Sequence, residues 1–325
     1  MELKEILSNF KNKEILVIGD IMLDKYTVGT VKRISPEAPV PVLNVEKEYF
    51  RAGGAGNVAL NVSNLSPENK IHFFSFLGND IWAEKLEGIL NLNNLSCYFE
   101  KTEYDTIIKE RIMGRSSGPE QHIIRIDREE NSKKIFQSKL EKLSEIAEKS
   151  DIIIVSDYAK GTITSELMKV LEPYKSKIVI DPKPTNKNFE EIYKNSYIIT
   201  PSRAEAFVMA GTDDVDEAGK ILREKLNSNI LITLGKKGMK LFAVDGESEY
   251  IETIPEDSFE ETGAGDTAIS ALALALSSKK DSIPDILNAA KLGNYAAGIT
   301  IKKIGAYAPN FNELEDKINN LYKNE

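Results

Sequence analysis

The chain has 325 residues, of which 41% are hydrophobic and 29% are charged, and its formal net charge is −9. These values are typical of a water-soluble globular protein with one large domain or two smaller ones. The acidic balance disfavours a general nucleic-acid binder, which is usually basic. The single cysteine, Cys97, excludes an internal disulfide and indicates a reducing compartment. Two histidines and one cysteine also leave no Cys/His cluster for zinc.

The N-terminal segment and the apolar runs bear on location. Residues 1–14 are charged and amphipathic, unlike a signal peptide. No apolar run of the sequence approaches the length of a membrane span. We therefore expect a cytoplasmic protein that binds neither membranes nor nucleic acid.

Apolar runs of strand length recur along the first three quarters of the chain. Because they are almost continuously apolar, they are typical of strands buried on both faces of a parallel sheet. The predicted strands are Ile15–Ile18, Ile71–Leu77, Asp151–Ser156, Lys177–Ile180, Tyr197–Thr200 and Ile230–Leu234.

Helical patterns separate several of these strands and dominate the end of the chain. Such alternation predicts βαβ units, and hence a doubly wound α/β domain whose mostly parallel sheet is flanked by helices. The predicted helices are Ile81–Leu92, Ser138–Lys149, Val215–Leu226, Ala268–Ser278, Ile283–Ile301 and Phe311–Tyr322.

Two segments, about residues 26–50 and 95–128, interrupt this alternation. The first carries Pro36, Pro39 and Pro41, which favour extended backbone over helix, and parts of the second alternate polar and apolar residues. Together they predict either a small β-sheet over the mouth of the large domain or two surface hairpins. A cover of this kind keeps water away from a reacting group.

A glycine-rich run, residues 53–57 (GGAGN), opens a predicted helix that ends at Leu65. Its backbone N–H groups and the Asn57 amide suit sugar hydroxyls, which need donors and acceptors together. A helix cap with glycines for close packing is the other interpretation. Residues 54–59 also fit G-x-G-x-x-G/A, the outline of a dinucleotide loop. Because the same pattern occurs at residues 263–268, it is weak support for a nicotinamide or flavin enzyme.

Polar residues follow the first predicted strand, at the sheet edge where open α/β folds bind ligands. Gly19 and Asp20 come directly after it, and Asp24 is close behind. The two carboxylates can grip the hydroxyls of a sugar or form a solvated turn.

Later strand ends carry further polar groups. Lys183 brings a cation to the same edge. Glu205 can hold Mg²⁺ through water, or can form an S-x-x-E capping box with Ser202, and both can apply in different states. Thr233 to Gly238 can admit a nucleotide or form an ordinary turn.

The run Glu261–Thr267, ETGAGDT, is the most informative stretch. Its glycines precede a helix, where free N–H groups and the helix dipole make an anion site. Asp266 in the first turn would repel a phosphate that was simply bound. A phosphoryl-transfer enzyme has a use for it, because a carboxylate can accept the proton of an attacking hydroxyl. The sequence contains no G-x-x-x-x-G-K-[ST], which disfavours a Walker-type ATPase.

Together these motifs resemble the PfkB (ribokinase-like) carbohydrate kinase family over essentially the whole chain. They are Gly53-Gly54 with Asn57, T-P-x-x-x-E at residues 200–205, T-x-G-x-x-G at 233–238 and T-G-A-G-D at 262–266. The resemblance implies one kinase domain over residues 1–325, with a ribokinase-like sheet and a small β lid. It also implies transfer of the γ-phosphoryl group of ATP, with Mg²⁺, to a sugar hydroxyl.

The resemblance further implies roles for individual residues. Asp266 would be the catalytic base, and the backbone at Gly263, Ala264, Gly265 and Asp266 would form the anion hole. The residues on the sugar side would be Gly19, Asp20, Asp24, Gly53, Gly54 and Asn57. Those on the nucleotide and phosphate side would be Lys183, Ser202, Glu205, Thr233, Gly235, Gly238 and Asn294, with Glu205 on Mg²⁺ and Asn294 near the adenine.

Within the family, residues 19–24 (GDIMLD) and 33–42 (RISPEAPVPV) resemble kinases that phosphorylate O1 of D-glycero-D-manno-heptose 7-phosphate, a step toward ADP-heptose and lipopolysaccharide. A phosphosugar needs cations for its dianion. Arg33, Lys109 and Arg111 are the candidates, and solvated lid charge is the alternative. Another sugar, sugar phosphate or nucleoside as substrate, and a non-catalytic binding protein on the same fold, remain open.

Several positions depart from the family pattern. Glu260 stands where Asp is usual, which puts a monovalent-cation site in doubt, and Ser202 stands where Asn is usual. Residues 114–120 (GRSSGPE) look longer than the matching heptose-kinase loop, which would suit a different sugar. His72 and His122 cannot supply the H-x-G-H motif of a nucleotidyltransferase domain, so we expect the kinase alone. A homodimer is expected, because an open lid sheet leaves an edge or face to cover.

Overall fold

The computed structural model describes residues 3–116, 118–129, 136, 138–185, 188–253, 262–278, 283–303 and 305–321. Thirteen strands lie within these ranges. They are β1 (Glu14–Gly19), β2 (Ile21–Ile34), β3 (Pro41–Gly54), β4 (Lys70–Leu77), β5 (Leu95–Lys101), β6 (Ile108–Arg115), β7 (Gln121–Arg128), β8 (Ile152–Ser156), β9 (Ile178–Asp181), β10 (Ile198–Ile199), β11 (Asn229–Thr233), β12 (Met239–Phe242) and β13 (Ser248–Ile251).

The same ranges contain eleven α-helices. They are α1 (Leu3–Ser8), α2 (Ala55–Leu65), α3 (Ile81–Ile89), α4 (Leu140–Lys149), α5 (Ser165–Leu171), α6 (Phe189–Tyr193), α7 (Arg203–Ala210), α8 (Val215–Leu226), α9 (Ala264–Leu276), α10 (Ile283–Thr300) and α11 (Phe311–Leu321). No helix in the described part of the chain is both long enough and apolar enough to cross a membrane.

A large sheet forms the centre of the molecule. Its strand order is β13-β12-β11-β10-β9-β8-β1-β4-β5. The seven strands from β11 to β5 run parallel, and only β12 and β13 at one edge pair antiparallel. The predicted doubly wound α/β fold with a mostly parallel sheet is confirmed. The continuously apolar runs mark the central strands, since both faces of this sheet are covered by helices.

The hydrophobic core has one layer on each face of the large sheet. In β1, Ile15 and Val17 belong to one layer, and Leu16 and Ile18 to the other, because successive side chains of a strand point to opposite faces. Helix α9 lies in the first layer and is buried from Asp266 to Leu276. That burial explains why α9 is apolar on all sides.

A second, small sheet has the order β3-β2-β6-β7. Strands β2 and β3 form an antiparallel pair, β6 runs parallel to β2, and β7 returns antiparallel to β6. A single residue, Asp20, separates β1 of the large sheet from β2 of the small one. The small sheet therefore rises directly from the carboxyl end of a central strand.

The extent of the small sheet differs from the predicted lid at residues 95–128. Strand β5 (residues 95–101) is not part of it, but pairs in parallel with β4 at the edge of the large sheet. Phe99 of β5 packs edge-on against Phe73, with ring centroids 5.7 Å apart. An edge strand whose two faces are covered unequally shows the same alternation as a hairpin strand, so the sequence pattern could not separate the two cases.

Candidate active site

Helix α9 begins where the T-G-A-G-D run predicts a helix start. Gly263 precedes it with a φ of 81°, a left-handed conformation that favours glycine. A Cβ at Gly263 would lie 3.0 Å from Nδ2 of Asn57, whereas a Cβ at Gly265 would meet no atom within 4 Å. Because the first N–H groups of a helix lack intrahelical acceptors, the open space at Gly265 is lined by backbone donors.

The Asp266 carboxylate is buried in the first turn of α9 and receives two hydrogen bonds. Asn57 Nδ2 donates to Oδ2 at 2.7 Å, and the Tyr158 hydroxyl donates to Oδ1 at 2.7 Å. Burial raises the pKa of Asp266 to about 6, although the two hydrogen bonds oppose the shift, and the nearby Asp24 charge adds to it. A pKa near the operating pH is what general-base catalysis requires.

Asn57 on α2 is fixed by a second network behind it. Asn61 donates through Nδ2 to the Asn57 carbonyl at 2.8 Å and to Oδ1 at 3.2 Å. Thr267 Oγ1 in turn donates to Asn61 Oδ1 at 2.8 Å. The Asn57 amide therefore presents its nitrogen to Asp266. Asn57 was predicted on the sugar side, and the structure shows that it also holds the candidate base.

Tyr158 was missed in the sequence, although it directly follows a strand end. It lies in the loop of residues 157–162 after β8, which we call the Tyr158 loop. The Asp20 carboxylate accepts three backbone N–H groups of this loop, from Tyr158 and Lys160 at 3.0 Å and from Thr162 at 2.9 Å. The Asp20 carboxylate therefore holds the loop, a role that was not predicted, and its contact with a sugar stays a prediction. Applying the strand-end rule to β8 would have found Tyr158.

Asp24, Lys109 and Arg111 come together on one face of the small sheet. Asp24 pairs in register with Lys109, and Arg111 lies two residues further on β6, so the three share a face. Arg111 Nη1 donates to Asp24 Oδ1. Burial lowers the pKa of the half-buried Lys109, while the charges of Asp127, Glu129 and Asp24 raise it. A Cβ at Gly53 would lie 2.5 Å from Asp24 Oδ2, so Gly53 leaves space for this carboxylate.

Gly19 and Gly54 serve chain packing at the junction of the two sheets. A Cβ at Gly19 would lie 2.1 Å from the Ser156 carbonyl oxygen, and one at Gly54 would lie 2.4 Å from the Asp20 carbonyl oxygen. Gly54 also has a φ of 59°. Close backbone packing accounts for both glycines, and their place on the sugar side stays a prediction.

Arg33 is not brought to this site within one chain. It lies nine residues beyond Asp24 on β2, which is about 30 Å at the usual rise per residue. It pairs with Val42 near the tip of the β2–β3 hairpin, where its side chain is exposed. The prediction that Arg33 meets Lys109 and Arg111 over one sugar is wrong for a single chain, because β2 is too long.

A cavity of about 170 Å³ opens on the other side of Asp266, between α9, α10 and the carboxyl ends of β9 to β11. Its polar wall includes three residues predicted on the nucleotide side. Burial raises the pKa of Asp181 well above its usual range, and the charges of Asp266 and Glu205 add to the shift. The residues that matter here are Asp181, Ser202, Glu205, Thr233, Gly265 and Gly293.

Ser202 and Glu205 form the predicted capping box at the start of α7. Ser202 Oγ donates to Glu205 Oε2 at 2.7 Å, and the Glu205 amide donates back to Ser202 Oγ at 3.3 Å. Lys183 Nζ donates to Glu205 Oε1 at 3.0 Å. Both carboxylate oxygens of Glu205 thus have partners, which favours the capping interpretation for this arrangement.

The other predicted nucleotide residues are not among those that line the cavity. Gly235 starts a 3₁₀ turn with a φ of 59°, and a Cβ there would meet no atom within 4 Å. Gly238 instead permits a close approach, since its Cβ would lie 2.1 Å from the Ile251 carbonyl oxygen. Asn294 follows the cavity residue Gly293 on α10, and its Nδ2 is buried without an acceptor among the described residues. Glu260 and Ser117, which figured in the predicted departures, lie outside the described residues.

The fold and this site define a carbohydrate kinase with ribokinase-like architecture. The family model "pfkB family carbohydrate kinase" matches residues 12–313, so the chain belongs to that family. The bifunctional protein HldE of Actinobacillus succinogenes is 36% identical over 320 residues, covering 96% of this chain and 64% of that protein. HldE of Hydrogenovibrio crunogenus is 34% identical over 323 residues, with the same coverage. The chain thus spans 64% of the length of these relatives.

Solved structures show the same fold at lower identity. Ribokinase from Giardia lamblia superposes with a TM-score of 0.75 at 18% identity, covering 96% of this chain and all of that one. Phosphofructokinase-2 from Escherichia coli, solved in complex with potassium, gives 0.71 at 16% identity over 96% of this chain and 99% of that one. The predicted ribokinase-like fold is confirmed.

Proposed function

We propose that this protein transfers the γ-phosphoryl group of ATP to O1 of D-glycero-D-manno-heptose 7-phosphate and releases the 1,7-bisphosphate. One observation carries the proposal: a buried carboxylate, Asp266, stands at a helix N-terminus between a cationic sheet face and a cavity. The family model supports ATP as the donor. The similarity to HldE proteins, together with the heptose-kinase-like stretch at residues 33–42, supports the sugar.

In this proposal Asp266 is the general base. The sugar oxygen forms a bond to the γ-phosphorus as the bond to the bridging oxygen of ADP breaks, and Asp266 takes the hydroxyl proton. With a pKa of about 6 the carboxylate is mostly ionised at neutral pH, yet it is more basic than an exposed aspartate. The N–H groups at Ala264, Gly265 and Asp266 stabilise the charge on the transferring group.

The cavity beside Gly265 suits part of the nucleotide. Ala268 and Leu272 of α9 supply an apolar wall, and Thr233 and Ser202 supply polar groups. Its volume of about 170 Å³ is smaller than the roughly 300 Å³ of a small ligand site. In this proposal the nucleotide therefore extends beyond the cavity, and the open space at Gly235, just after β11, is a candidate place for it.

Glu205 is our candidate for holding Mg²⁺, through water. No group of three or more His, Cys, Asp or Glu among the described residues is placed to hold a metal ion. Mg²⁺ still fits this donor set, because it keeps several waters and binds substrate phosphates with one or two carboxylates. Ser202 and Lys183 already engage the Glu205 oxygens, which favours a water between them and the ion. When bound, the ion neutralises charge on the phosphates.

Lys109 and Arg111 are the proposed contacts for the phosphate of the sugar. Both lie on the small-sheet face that carries Asp24, and both come from a strand next to β2. The partial burial of Lys109 strengthens its interaction with an anion relative to a fully solvated lysine. Asp24 holds Arg111 in place and remains a candidate for a sugar hydroxyl.

A homodimer through the small sheet is also part of the proposal. Several large apolar side chains of that sheet and its hairpin are exposed: Ile34, Val40, Val45, Ile124 and Ile126. Such a patch is costly to leave in water and is typical of an interface. Light scattering on a variant with charged residues at Ile124 and Ile126 tests this, since the mass should halve.

An ADP-coupled assay over a panel of sugars and sugar phosphates tests the substrate. We expect kcat/KM for D-glycero-D-manno-heptose 7-phosphate to exceed that for fructose 6-phosphate, ribose or a nucleoside by at least about tenfold. Preference for another compound would leave the kinase class intact but overturn the heptose assignment. No turnover with any compound, with ligand binding retained, would indicate a non-catalytic protein.

A further inference from the structure

The Tyr158 loop adopts an unusual backbone that presents one side chain to the candidate base. Ala159 has a φ of 54° and Gly161 a φ of 97°, and the first of these is a conformation that side chains rarely adopt. Two carboxylates hold the loop in this shape. Asp20 accepts its three N–H groups, and Asp157 Oδ1 accepts the Ala159 N–H at 2.6 Å.

The Tyr158 hydroxyl acts as a hydrogen-bond donor to Asp266. Burial and the adjacent Asp266 charge raise the pKa of Tyr158 well above its usual range, so the phenol keeps its proton. It donates to Oδ1 while Asn57 donates to Oδ2. Because the two donors come from different elements, they fix the plane of the carboxylate. Each oxygen keeps a further lone pair for a substrate hydroxyl.

We propose that Tyr158 is a positioning residue for phosphoryl transfer, whose hydroxyl orients the Asp266 carboxylate toward the sugar and favours its charged form. This inference rests on the proposed role of Asp266 as the base. Tyr158 reaches the reaction through Asp266, and the Asp20-anchored loop keeps it there.

The charges around Asp266 explain why a neutral donor is useful. The Asp24 charge disfavours the charged form of Asp266, and the Asp266 charge disfavours the charged form of Asp181. Arg111 partly offsets Asp24. A hydrogen bond favours the carboxylate without adding a cation that would weaken it as a base. The charged or titratable groups on the elements around Asp266 include Asp20, Asp24, Lys109, Arg111, Asp157, Tyr158, Lys160, Asp181, Lys183 and Glu205.

Tyr158→Phe tests the proposal, because it removes one oxygen and keeps the ring. We expect kcat at pH 7 to fall about tenfold or more. Loss of the donor raises the pKa of Asp266, so the acid limb of the kcat–pH profile should move to higher pH by about one unit. Part of the lost kcat should return at pH 9, and KM for ATP should stay near the wild-type value.

Tyr307→Phe is the matched control. Tyr307 also donates its hydroxyl to a carboxylate, that of Glu313 at 3.0 Å, but it bonds neither to Asp266 nor to the two carboxylates that hold the Tyr158 loop. This change should leave the midpoint of the acid limb in place even if it lowers the unfolding temperature. Thermal unfolding of both variants ensures that kcat refers to folded protein.

The outcomes separate this inference from the proposed function. Wild-type kcat in Tyr158→Phe, or a lower kcat with an unmoved acid limb, overturns the positioning role while Asp266 stays the base. Near-normal kcat in Asp266→Asn would instead overturn the base itself. A moved acid limb in Tyr158→Phe but not in Tyr307→Phe supports the inference.

Discussion

The two sides of Asp266 satisfy their charged groups in different ways. On the small-sheet side the protein supplies the partners, since Asp24 pairs with Arg111 and Asp20 accepts three backbone N–H groups. On the cavity side, the Asp181 carboxylate accepts no hydrogen bond from the described residues, and burial raises its pKa. The first side is organised by the chain itself, whereas the second leaves polar atoms for a ligand.

This contrast separates two kinds of consequence. A substitution that removes a partner on the small-sheet side leaves hydrogen-bonding groups unpaired inside the protein. The loss lowers stability and disturbs the position of the base. On the cavity side, a substitution of Asp181 removes a carboxylate that accepts no hydrogen bond from the described residues, which should lower ligand affinity more than stability. Asp266 lies at the boundary and is used by both sides.

The largest expected effect is at that boundary. Asp266→Asn keeps the shape of the side chain but removes the base, so kcat should fall by about 10³-fold or more. ATP affinity, measured by calorimetry, should change little, because the backbone N–H groups remain. A kcat within tenfold of the wild-type value would contradict the role of Asp266 as the base at this boundary.

Asp20→Ala tests whether the small-sheet side is organised by protein contacts. Three loop N–H groups lose their acceptor, which should lower the free energy of unfolding by about 3 kcal/mol in a denaturant titration. The kcat should also fall because Tyr158 is released, while KM for the sugar changes little. The free energy of unfolding should fall less in Asp20→Asn, which keeps one acceptor oxygen. A main effect on sugar KM would instead support the predicted contact of Asp20 with the sugar.

Lys109→Ala and Arg111→Ala test the cationic face. Each should raise KM for phosphorylated sugars by about tenfold to a hundredfold, since a charge-assisted contact is lost. Sugars without a phosphate should be affected much less. The control is Arg115→Ala, because Arg115 is an exposed cation of the same strand that pairs with Glu46. An equal rise in KM for sugars with and without a phosphate would contradict a contact between these residues and the phosphate.

The smallest effect concerns stability and pH. The pKa of Asp266 rises from 3.8 to about 6 on folding, so the folded state binds more protons between these values and loses stability as pH increases through them. Asp266→Asn escapes this loss. Its unfolding free energy, taken relative to wild type, should therefore be about 2 kcal/mol higher at pH 8 than at pH 4. An equal difference at both pH values would show that burial does not raise this pKa.

Local patterns in the sequence predicted much of the fold and part of the site. The apolar runs located the central strands, and T-G-A-G-D located the start of α9, because both depend on neighbouring residues. The capping box of Ser202 and Glu205 was recognisable for the same reason. Whether Asp266 acts as the base remains a prediction from the motif.

Features that depend on distant segments were not predictable in this way. The partners of Asp20 lie 138 to 142 residues away in the Tyr158 loop, and no spacing rule connects them. The position of Arg33 depends on the full length of β2, and that of β5 depends on the sheet it joins. Tyr158 belongs to no motif that was considered, so only the assembled site reveals it.

The one-residue connection between β1 and β2 also constrains how this protein can be altered. Insertions at the tip between β2 and β3 only lengthen an exposed turn, which costs little. One extra residue beside Asp20 would instead move every side chain of β2 to the opposite face of the small sheet, because alternate residues of a strand face opposite sides. Asp24 would then face away from Asp266. The fold of a single chain therefore tolerates a longer hairpin tip, whereas the connection at Asp20 must keep its length.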